Sequence, residues 1–284
     1  MADPQPLTFH LWRPAPGAPA AWAGLALVHG LGSHGATFAP LAEALTAAGL
    51  VVTAVDLPGH GRSPGPRGGL RHWRQFRDAV SALLQHTAAA APGLPLVLLG
   101  HSLGGAIVLD YMQAHPASVA AAVVANPALA LWPSWRLRLV PLLAVLWPAL
   151  PQTNGIALEA TARDPAVWET IRHDPLRHDR ITAGLVAALL RVQRQLRRVA
   201  PSFPVPLLIL LSSADTVVNP AATCHYRDAV ASGTDGSTDG CSDVTLIPYA
   251  DSLHELFDDR ERQRVCADLL AWLGARFAAP LQGP

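Results

Sequence analysis

Short apolar runs alternate with longer amphipathic patterns along most of this chain, and this alternation constrains its fold more than any other feature. The runs that predict β-strands are residues 7–13, 25–29, 51–56, 96–100, 119–125, 207–212 and 244–248. Between residues 25 and 212 these runs are almost wholly apolar, which is typical of strands buried on both faces. The patterns that predict helices are residues 38–48, 72–90, 103–115, 220–230 and 260–277. This order predicts an α/β fold with a mostly parallel central sheet flanked by helices.

The alternation stops between residues 126 and 206, where the sequence offers no convincing strand. This segment is rich in Trp and Leu and carries a helical pattern at residues 181–198. Its position between two late strands predicts a helical cap over the C-terminal edge of the sheet. The predicted domains are a core of residues 1–126 and 206–284 and a cap of residues 127–205. A further stretch, residues 231–243, is rich in Gly, Ser, Thr and Asp and predicts a surface loop without a chemical role.

Composition excludes several classes of protein. Half of the 284 residues are hydrophobic and only 15% are charged, which is typical of a globular chain and not of a disordered one. Nucleic acid is not an expected partner, because the 21 basic and 21 acidic side chains cancel. The cysteines are too few and too widely spaced for a zinc site or a disulfide framework; they are Cys224, Cys241 and Cys266.

The sequence predicts a soluble, cytoplasmic protein. Its first residues lack the charged-then-apolar pattern of a signal peptide. The longest apolar stretch, residues 139–150, contains two prolines and is too short to span a bilayer.

One glycine-rich motif carries the clearest chemical signal. Gly100-His-Ser-Leu-Gly-Gly105 follows an apolar strand pattern and opens a helical one, which is the context of a nucleophile elbow. Such a turn strains the serine backbone and needs residues without side chains beside it, here Gly100 and Gly104. We therefore interpret Ser102 as a nucleophile, and the alternative is a glycine-rich turn with an idle serine.

A serine nucleophile needs a base within hydrogen-bonding reach and a carboxylate that orients the base. In folds with this elbow the acid and the base follow the serine in the order Asp, His, at the ends of later strands. Asp215 follows the predicted strand 207–212, and His254 follows the predicted strand 244–248. We predict Asp215 as the acid and His254 as the base.

Three other residues compete for these roles. Asp251 lies too near the histidine in sequence, and Asp239 lies in the irregular loop. His225 falls inside a predicted helix, where a surface position is expected. Each is therefore a weaker candidate.

A second turn predicts the oxyanion hole. His29-Gly-Leu-Gly32 follows the second predicted strand. Turns of this type present the backbone N–H of the residue after His-Gly to the developing oxyanion, alongside the N–H of the residue after the serine. The predicted donors are the N–H groups of Leu31 and Leu103, each contributing about 3 kcal/mol to transition-state stabilisation.

The same turn also fits a dinucleotide-binding motif. Gly30-Leu-Gly-Ser-His-Gly35 matches G-x-G-x-x-G, and Asp56 stands about 20 residues further on. That interpretation leaves the serine motif unexplained and is disfavoured. Residues 56–63 resemble a phosphate loop, but no Gly-Lys-Ser/Thr follows and the chain contains no lysine.

Together these motifs resemble the α/β-hydrolase superfamily, and within it the monoacylglycerol lipase and lysophospholipase branch, which is serine aminopeptidase S33-like. The superfamily resemblance rests on His29-Gly-Leu-Gly32, Asp56-Leu-Pro-Gly-His-Gly-Arg-Ser63, Gly100-His-Ser-Leu-Gly-Gly105 and Ser213-Ala-Asp215. The branch resemblance rests on Arg163-Asp-Pro165, residues 174–184 and His254-Glu255. The chain departs from the family pattern at residues 156–159 and 231–243.

The resemblance implies an α/β-hydrolase fold and a serine hydrolase that cleaves carboxylic esters through an acyl-enzyme. It implies Ser102 as the nucleophile, His254 as the base, Asp215 as the orienting acid, and the N–H groups of Leu31 and Leu103 as oxyanion donors. The implied substrates are monoacylglycerols or lysophospholipid-type single-chain lipid esters. No metal and no organic cofactor is expected.

Other functions remain open at this point. The same residues would serve a general short-chain carboxylesterase or thioesterase, an aminopeptidase, or a ligand-binding protein of this fold that does not turn over. The apolar stretch at residues 131–147 has only Arg136 and Arg138 as charged residues. It predicts an acyl tunnel and a transient contact with a membrane or micelle surface. The alternative is a helix buried against the core.

Overall fold

Seven strands form one central sheet in the computed structural model, which describes residues 6–198, 203, 205–232 and 243–277. These strands are β1 (Phe9–Trp12), β2 (Ala23–Val28), β3 (Leu50–Val55), β4 (Leu96–His101), β5 (Ala121–Ala125), β8 (Leu207–Ser212) and β9 (Val244–Tyr249). Their order across the sheet is β1-β3-β2-β4-β5-β8-β9. β1 runs antiparallel to β3, and all other neighbours are parallel.

Eight α-helices accompany the strands in the described part of the chain. They are α1 (Ala39–Ala47), α2 (Arg74–Ala90), α3 (Leu103–Ala114), α4 (Val140–Leu146), α5 (Pro165–His173), α6 (Ala183–Arg198), α7 (Pro220–Ala231) and α8 (Arg262–Phe277). α1 and α8 pack on one face of the sheet, and α2, α3, α6 and α7 pack on the other. Both faces are thus buried, as the almost wholly apolar strands predicted.

The alternation of side chains along each strand builds two separate cores. In β2, Ala26 and Val28 join one apolar cluster, and Leu25 and Leu27 join the cluster on the opposite face. The predicted α/β fold with a mostly parallel sheet is therefore confirmed. The observed ends of the predicted elements lie within two residues of the predicted ones, and β8 has the predicted bounds.

The chain between β5 and β8 leaves the sheet, and we call residues 127–205 the insertion. It contains α4, α5 and α6, together with 3₁₀ turns at Trp135–Arg138 and Leu158–Ala160. The expectation that it holds no strand is wrong, because β6 (Pro151–Thr153) and β7 (Arg180–Thr182) form an antiparallel ribbon. Each strand of the ribbon has only three residues, and four of the six residues are exposed, so neither strand carries an apolar signal.

The insertion lies over the loops that follow β2 and β3. His178 N–H donates to the carbonyl of Gly32, and Thr182 N–H donates to the carbonyl of Gly68. On the other side, Leu185, Leu189 and other apolar residues of α6 join the apolar cluster that contains Ala26 and Val28 of β2. The insertion is thereby held above the edge of the sheet at which the parallel strands end.

Two expectations lie partly beyond the described residues. Most of the predicted surface loop 231–243, with Asp239 and Cys241, lies outside them. Cys224 and Cys266 are free thiols. Among the described residues, no helix combines the length and the apolar character that crossing a bilayer requires.

Candidate active site

Ser102 occupies the sharp turn between β4 and α3. Its backbone has φ 55° and ψ −118°, a conformation that residues other than glycine rarely adopt. A Cβ at Gly100 would lie 2.3 Å from the carbonyl oxygen of Gly104, and a Cβ at Gly104 would lie 2.1 Å from that of Val28. Only glycine fits at these two positions, so the flanking glycines of the motif are required for the turn to form.

The structure brings Ser102, His254 and Asp215 together into one chain of hydrogen bonds. His254 Nε2 lies 2.8 Å from Ser102 Oγ, and His254 Nδ1 lies 2.7 Å from Asp215 Oδ2. All three side chains are buried. Because a carboxylate only accepts, the Nδ1–H group of His254 donates to Asp215, and Nε2 is left to accept from the serine hydroxyl.

Asp215 is itself fixed by the backbone that follows it. Its Oδ1 accepts from Val217 N–H at 2.7 Å and from Val218 N–H at 3.0 Å. Burial opposes the charged form of His254, but the adjacent Asp215 carboxylate raises the pKa of the imidazole above its ordinary value. The arrangement can therefore take a proton from the serine and stabilise the imidazolium that results.

Glu255 adds a second negative charge next to His254. Burial opposes its ionisation, yet Arg177 and the neighbouring histidines lower its pKa to about 2. Arg177 Nη1 lies 3.4 Å from Glu255 Oε1, and His101 Nδ1 lies 4.0 Å from Glu255 Oε2. The Glu255 carboxylate is thus ionised beside the imidazole at neutral pH.

The turn after β2 faces Ser102. Leu31 and Leu103, the two residues with predicted N–H donors, line a cavity together with Ser102. His29 braces this turn, because its Nδ1–H donates to the Gly30 carbonyl at 2.7 Å and its Nε2 accepts from Leu57 N–H at 3.0 Å. Burial lowers the pKa of His29 to about 3, so the ring is neutral and keeps both bonds.

The competing candidates lie elsewhere. Asp251 is exposed and pairs with Arg163 and Arg260, each at 3.6 Å. His225 is exposed on α7, as expected. Asp239 lies outside the described residues.

The carboxylate of Asp56 is used within the protein. It accepts from Gly35 N–H at 2.7 Å, from Arg62 N–H at 2.8 Å and from His10 Nε2 at 2.8 Å. These bonds tie two loops together and leave Asp56 buried and turned inward. The dinucleotide interpretation therefore lacks the free ribose-binding carboxylate that it needs.

Two cavities meet at Ser102. The first has a volume of about 600 Å³ and a largely apolar lining that includes Leu131, Val140, Leu143 and Leu189. The second has a volume of about 450 Å³ and a more polar lining that includes His101, Asp174, Arg177 and Glu255. Ser102, Leu31, Asn154 and Ile156 line both of them. The serine hydroxyl thus stands where an apolar group and a polar group of one molecule could meet.

Sequence reasoning missed several residues that support this site. His101 donates from Nε2 to the His254 carbonyl at 2.9 Å. Its position next to Ser102 in the serine motif could have marked it as part of the site. Buried Asp259 accepts from the N–H groups of Arg163, Asp164 and Leu253 and so joins the insertion to the loop that carries His254. No sequence signal marked Asp259. In the described part of the chain, no group of three or more His, Cys, Asp or Glu residues could hold a metal ion.

The parallel sheet, the serine elbow and the inserted segment define an α/β-hydrolase. The chain belongs to the family described as serine aminopeptidase, S33, whose model matches residues 20–261.

Individual relatives are similar along most of the chain. The monoacylglycerol lipase of Mycolicibacterium smegmatis is 32% identical over 251 residues, which cover 87% of this chain and 86% of the relative. The human monoglyceride lipase is 32% identical over 290 residues, covering 98% and 89%. Among solved structures, the monoacylglycerol lipase of Paleococcus ferrophilus superposes with a TM-score of 0.81 at 28% identity, covering 95% of this chain and 99% of that one.

Proposed function

We propose that this chain is a serine hydrolase of carboxylic esters that acts through an acyl-enzyme, and that its substrates are monoacylglycerols or lysophospholipid-type single-chain lipid esters. The observation that carries the proposal is the hydrogen-bonded chain Asp215–His254–Ser102, which ends where an apolar and a polar cavity meet. The similar monoacylglycerol lipases support the same chemistry.

The proposed reaction begins with proton transfer from Ser102 Oγ to His254 Nε2 as the oxygen attacks the ester carbonyl. The tetrahedral oxyanion accepts hydrogen bonds from the N–H groups of Leu31 and Leu103. Asp215 stabilises the imidazolium. The ester C–O bond then breaks while His254 returns its proton to the leaving alcohol, and an acyl-enzyme remains.

Water completes the cycle in the proposed scheme. His254 Nε2 takes a proton from the water as its oxygen attacks the acyl carbonyl. The collapsing intermediate releases the free fatty acid, and the proton returns from His254 to Ser102 Oγ. The balanced reaction is hydrolysis, with one water consumed for each ester.

The apolar cavity is suited to the acyl chain. Its lining comes from both sides of the serine: Leu103 and Val218 belong to the core, whereas Leu137, Val140 and Leu189 belong to the insertion. Burying each methylene of an acyl chain stabilises the complex by about 0.8 kcal/mol. Longer chains should therefore bind better until the cavity is full.

The polar cavity is suited to the alcohol group that leaves. Its lining carries hydrogen-bond donors and acceptors, because Arg177 and His178 stand beside the carboxylates of Asp174 and Glu255. Polar side chains that converge on a cavity fix the orientation of a polar ligand. A small polyol such as glycerol would offer hydroxyl groups to these side chains.

We further propose that the insertion, residues 127–205, is a distinct cap domain over a core of residues 1–126 and 206–284. Its outer surface exposes large apolar side chains, among them Trp135 at 68%, Val145 at 80% and Trp147 at 58%. Such a surface fits a transient contact with a membrane or micelle. The proposal places the protein in the cytoplasm, peripheral to membranes.

A second candidate function is a general short-chain esterase or thioesterase, because that activity needs the same serine, histidine and aspartate. The test is hydrolysis of monoacylglycerols and p-nitrophenyl esters from two to eighteen carbons, with Ser102→Ala as the blank. Activity that rises toward medium or long chains and is absent from the blank supports the proposal. Activity confined to acetate and butyrate favours the short-chain esterase, and cleavage of aminoacyl amides alone favours an aminopeptidase.

A further inference from the structure

Asn126, directly after β5, has a positive φ, which is uncommon among residues other than glycine. Its φ is 42°, and Ser102 is the only other non-glycine residue with positive φ in the described part of the chain. Its side chain is fully buried. A strained backbone at a buried polar residue persists where the surroundings hold it in place, and such positions cluster at functional sites.

The Asn126 side chain joins two segments that lie far apart in sequence. Its Oδ1 accepts from the backbone N–H of Ser212 at 2.7 Å, at the end of β8. Its Nδ2 donates to the backbone carbonyl of His254 at 3.0 Å and approaches that of Leu253 at 3.3 Å. The amide thus holds the end of the strand that leads to Asp215 against the loop that carries His254.

The backbone around Asn126 extends this link to the nucleophile. The preceding residue, Ala125, accepts from Ser102 N–H at 3.0 Å through its carbonyl. The His254 carbonyl that Asn126 contacts also accepts from His101, the residue before Ser102. Asn126 therefore stands at the point where the backbones that carry all three groups of the hydrogen-bonded chain converge.

We propose that Asn126 is a positioning residue for the hydrolytic reaction, which sets the distance between His254 and Ser102 through its hydrogen bonds to the His254 carbonyl and to Ser212. This inference rests on the proposed function, since it assigns Asn126 to the same reaction. Asn126 touches neither the substrate nor the reacting atoms. Its effect passes through the backbone of the base.

Removing the amide leaves the Ser212 N–H without its acceptor and the His254 carbonyl with one donor fewer. The loop can then shift, and a displacement of about 1 Å in a catalytic group costs about 100-fold in rate. We expect kcat to fall by about 10- to 100-fold, with KM within about threefold of the wild-type value, because both substrate cavities stay intact.

The decisive variant is Asn126→Gly. Glycine accepts the positive φ without strain, so this variant removes the side-chain bonds and does not strain the backbone. Asn126→Asp provides a second test, because it keeps an acceptor for Ser212 N–H but turns a carboxylate oxygen toward two carbonyls. Its kcat should be lower than that of Asn126→Gly.

The matched control is Thr53→Val. Thr53 is also fully buried and bonds Thr87 Oγ1 at 2.7 Å, but it lies in β3 and contacts none of the three groups. Titration with a fluorophosphonate run to completion gives the concentration of active protein, so loss of folded enzyme does not count as loss of kcat. The rate of the same titration reports the reactivity of Ser102 without the ester.

The expected result is a lower kcat and slower fluorophosphonate labelling in both Asn126 variants, with Thr53→Val within twofold of wild type. An Asn126→Gly enzyme with wild-type kcat and labelling rate would overturn the inference, as would an equal loss in Thr53→Val. Ser102→Ala distinguishes a failure of the proposed function from a failure of the role proposed for Asn126. If it keeps hydrolysing esters, the proposed function fails; if it is inactive and Asn126→Gly is normal, only the role of Asn126 fails.

Discussion

Arg177 of the insertion pairs with Glu255, the residue that follows His254, across 3.4 Å between Nη1 and Oε1. The pair is mostly buried, with side chains 12% and 16% exposed. The backbone beside it is also tied to the insertion, because Glu255 N–H donates to the Thr161 carbonyl at 2.7 Å. The pair therefore connects the segment that covers the site to the loop that holds the histidine, and it forms one wall of the polar cavity.

This ion pair leads to a prediction about stability. Arg177→Met leaves the Glu255 carboxylate buried without its partner, so the free energy of unfolding should fall by about 1–3 kcal/mol in urea denaturation. Arg177→Met combined with Glu255→Gln should recover part of that loss, because the stranded charge is gone.

Arg74→Met is the matched control for this pair. Arg74 and Asp78 form an exposed pair on α2, with side chains 84% and 64% exposed. Its loss should change the free energy of unfolding by less than about 0.5 kcal/mol. If Arg177→Met costs no more than Arg74→Met, the buried pair does not hold the insertion to the loop.

A second prediction separates the two candidate acids. Asp215→Asn should lower kcat by about 10⁴-fold, because an amide no longer stabilises the imidazolium and can hold the ring in the wrong tautomer. The kcat of Asp251→Asn should stay within twofold of the wild-type value. Asp251 is exposed, and its ion-pair partners in the described part of the chain are Arg163 and Arg260. Steady-state kinetics on one ester measure both variants, and a reversed order would assign the acid to Asp251.

The sheet could be predicted because its inner strands, β2 to β5 and β8, are buried on both faces and carry a strong apolar pattern. β6 and β7 could not, because three-residue strands in a mostly exposed ribbon bury too little to need a run of apolar residues. The start of α5, in contrast, could have been predicted from a helix-capping pattern in the sequence. Asp164 accepts from Ala166 N–H as the helix cap, and Pro165 occupies the first turn.

The candidate site also contains residues that the sequence predicts and residues that it does not. Ser102, Asp215 and His254 stand at fixed places in a turn and after two strands, so their order in the chain predicts that they meet. The role that we propose for Asn126 depends on contacts with residues 86 and 128 positions away. No local pattern records such contacts, because they arise only when the parallel strands end at one edge of the sheet.

The pH dependence of the reaction provides a third prediction. The free base must be neutral, so kcat/KM should fall as pH drops through the pKa of His254, which Asp215 holds above its ordinary value of about 6.5. The charged or titratable groups facing His254 are Asp215, Glu255 and His101. Glu255 also raises the pKa of His254, so Glu255→Gln should move the acid limb to lower pH.

The control for this shift is Glu169→Gln on α5. Glu169 is an exposed carboxylate that pairs with Arg172 and His173, away from His254. Its removal should leave the acid limb of the pH profile in place. An unchanged limb in Glu255→Gln, or an equal shift in both variants, would mean that the Glu255 charge does not act on the base.

The exposed apolar surface of the insertion leads to the last prediction. Val145→Ser with Trp147→Ser removes two large exposed side chains that do not line either cavity at Ser102. Hydrolysis of a soluble short-chain ester should stay within twofold, while binding to phospholipid vesicles and hydrolysis of monoacylglycerol within them should fall several-fold, because apolar surface no longer enters the interface. Leu11→Ser, at a position 42% exposed on β1, is the matched control and should change neither measurement. Equal losses on the soluble ester and on vesicles would place the defect in the folding of α4, and unchanged vesicle binding would remove this surface from the interfacial step.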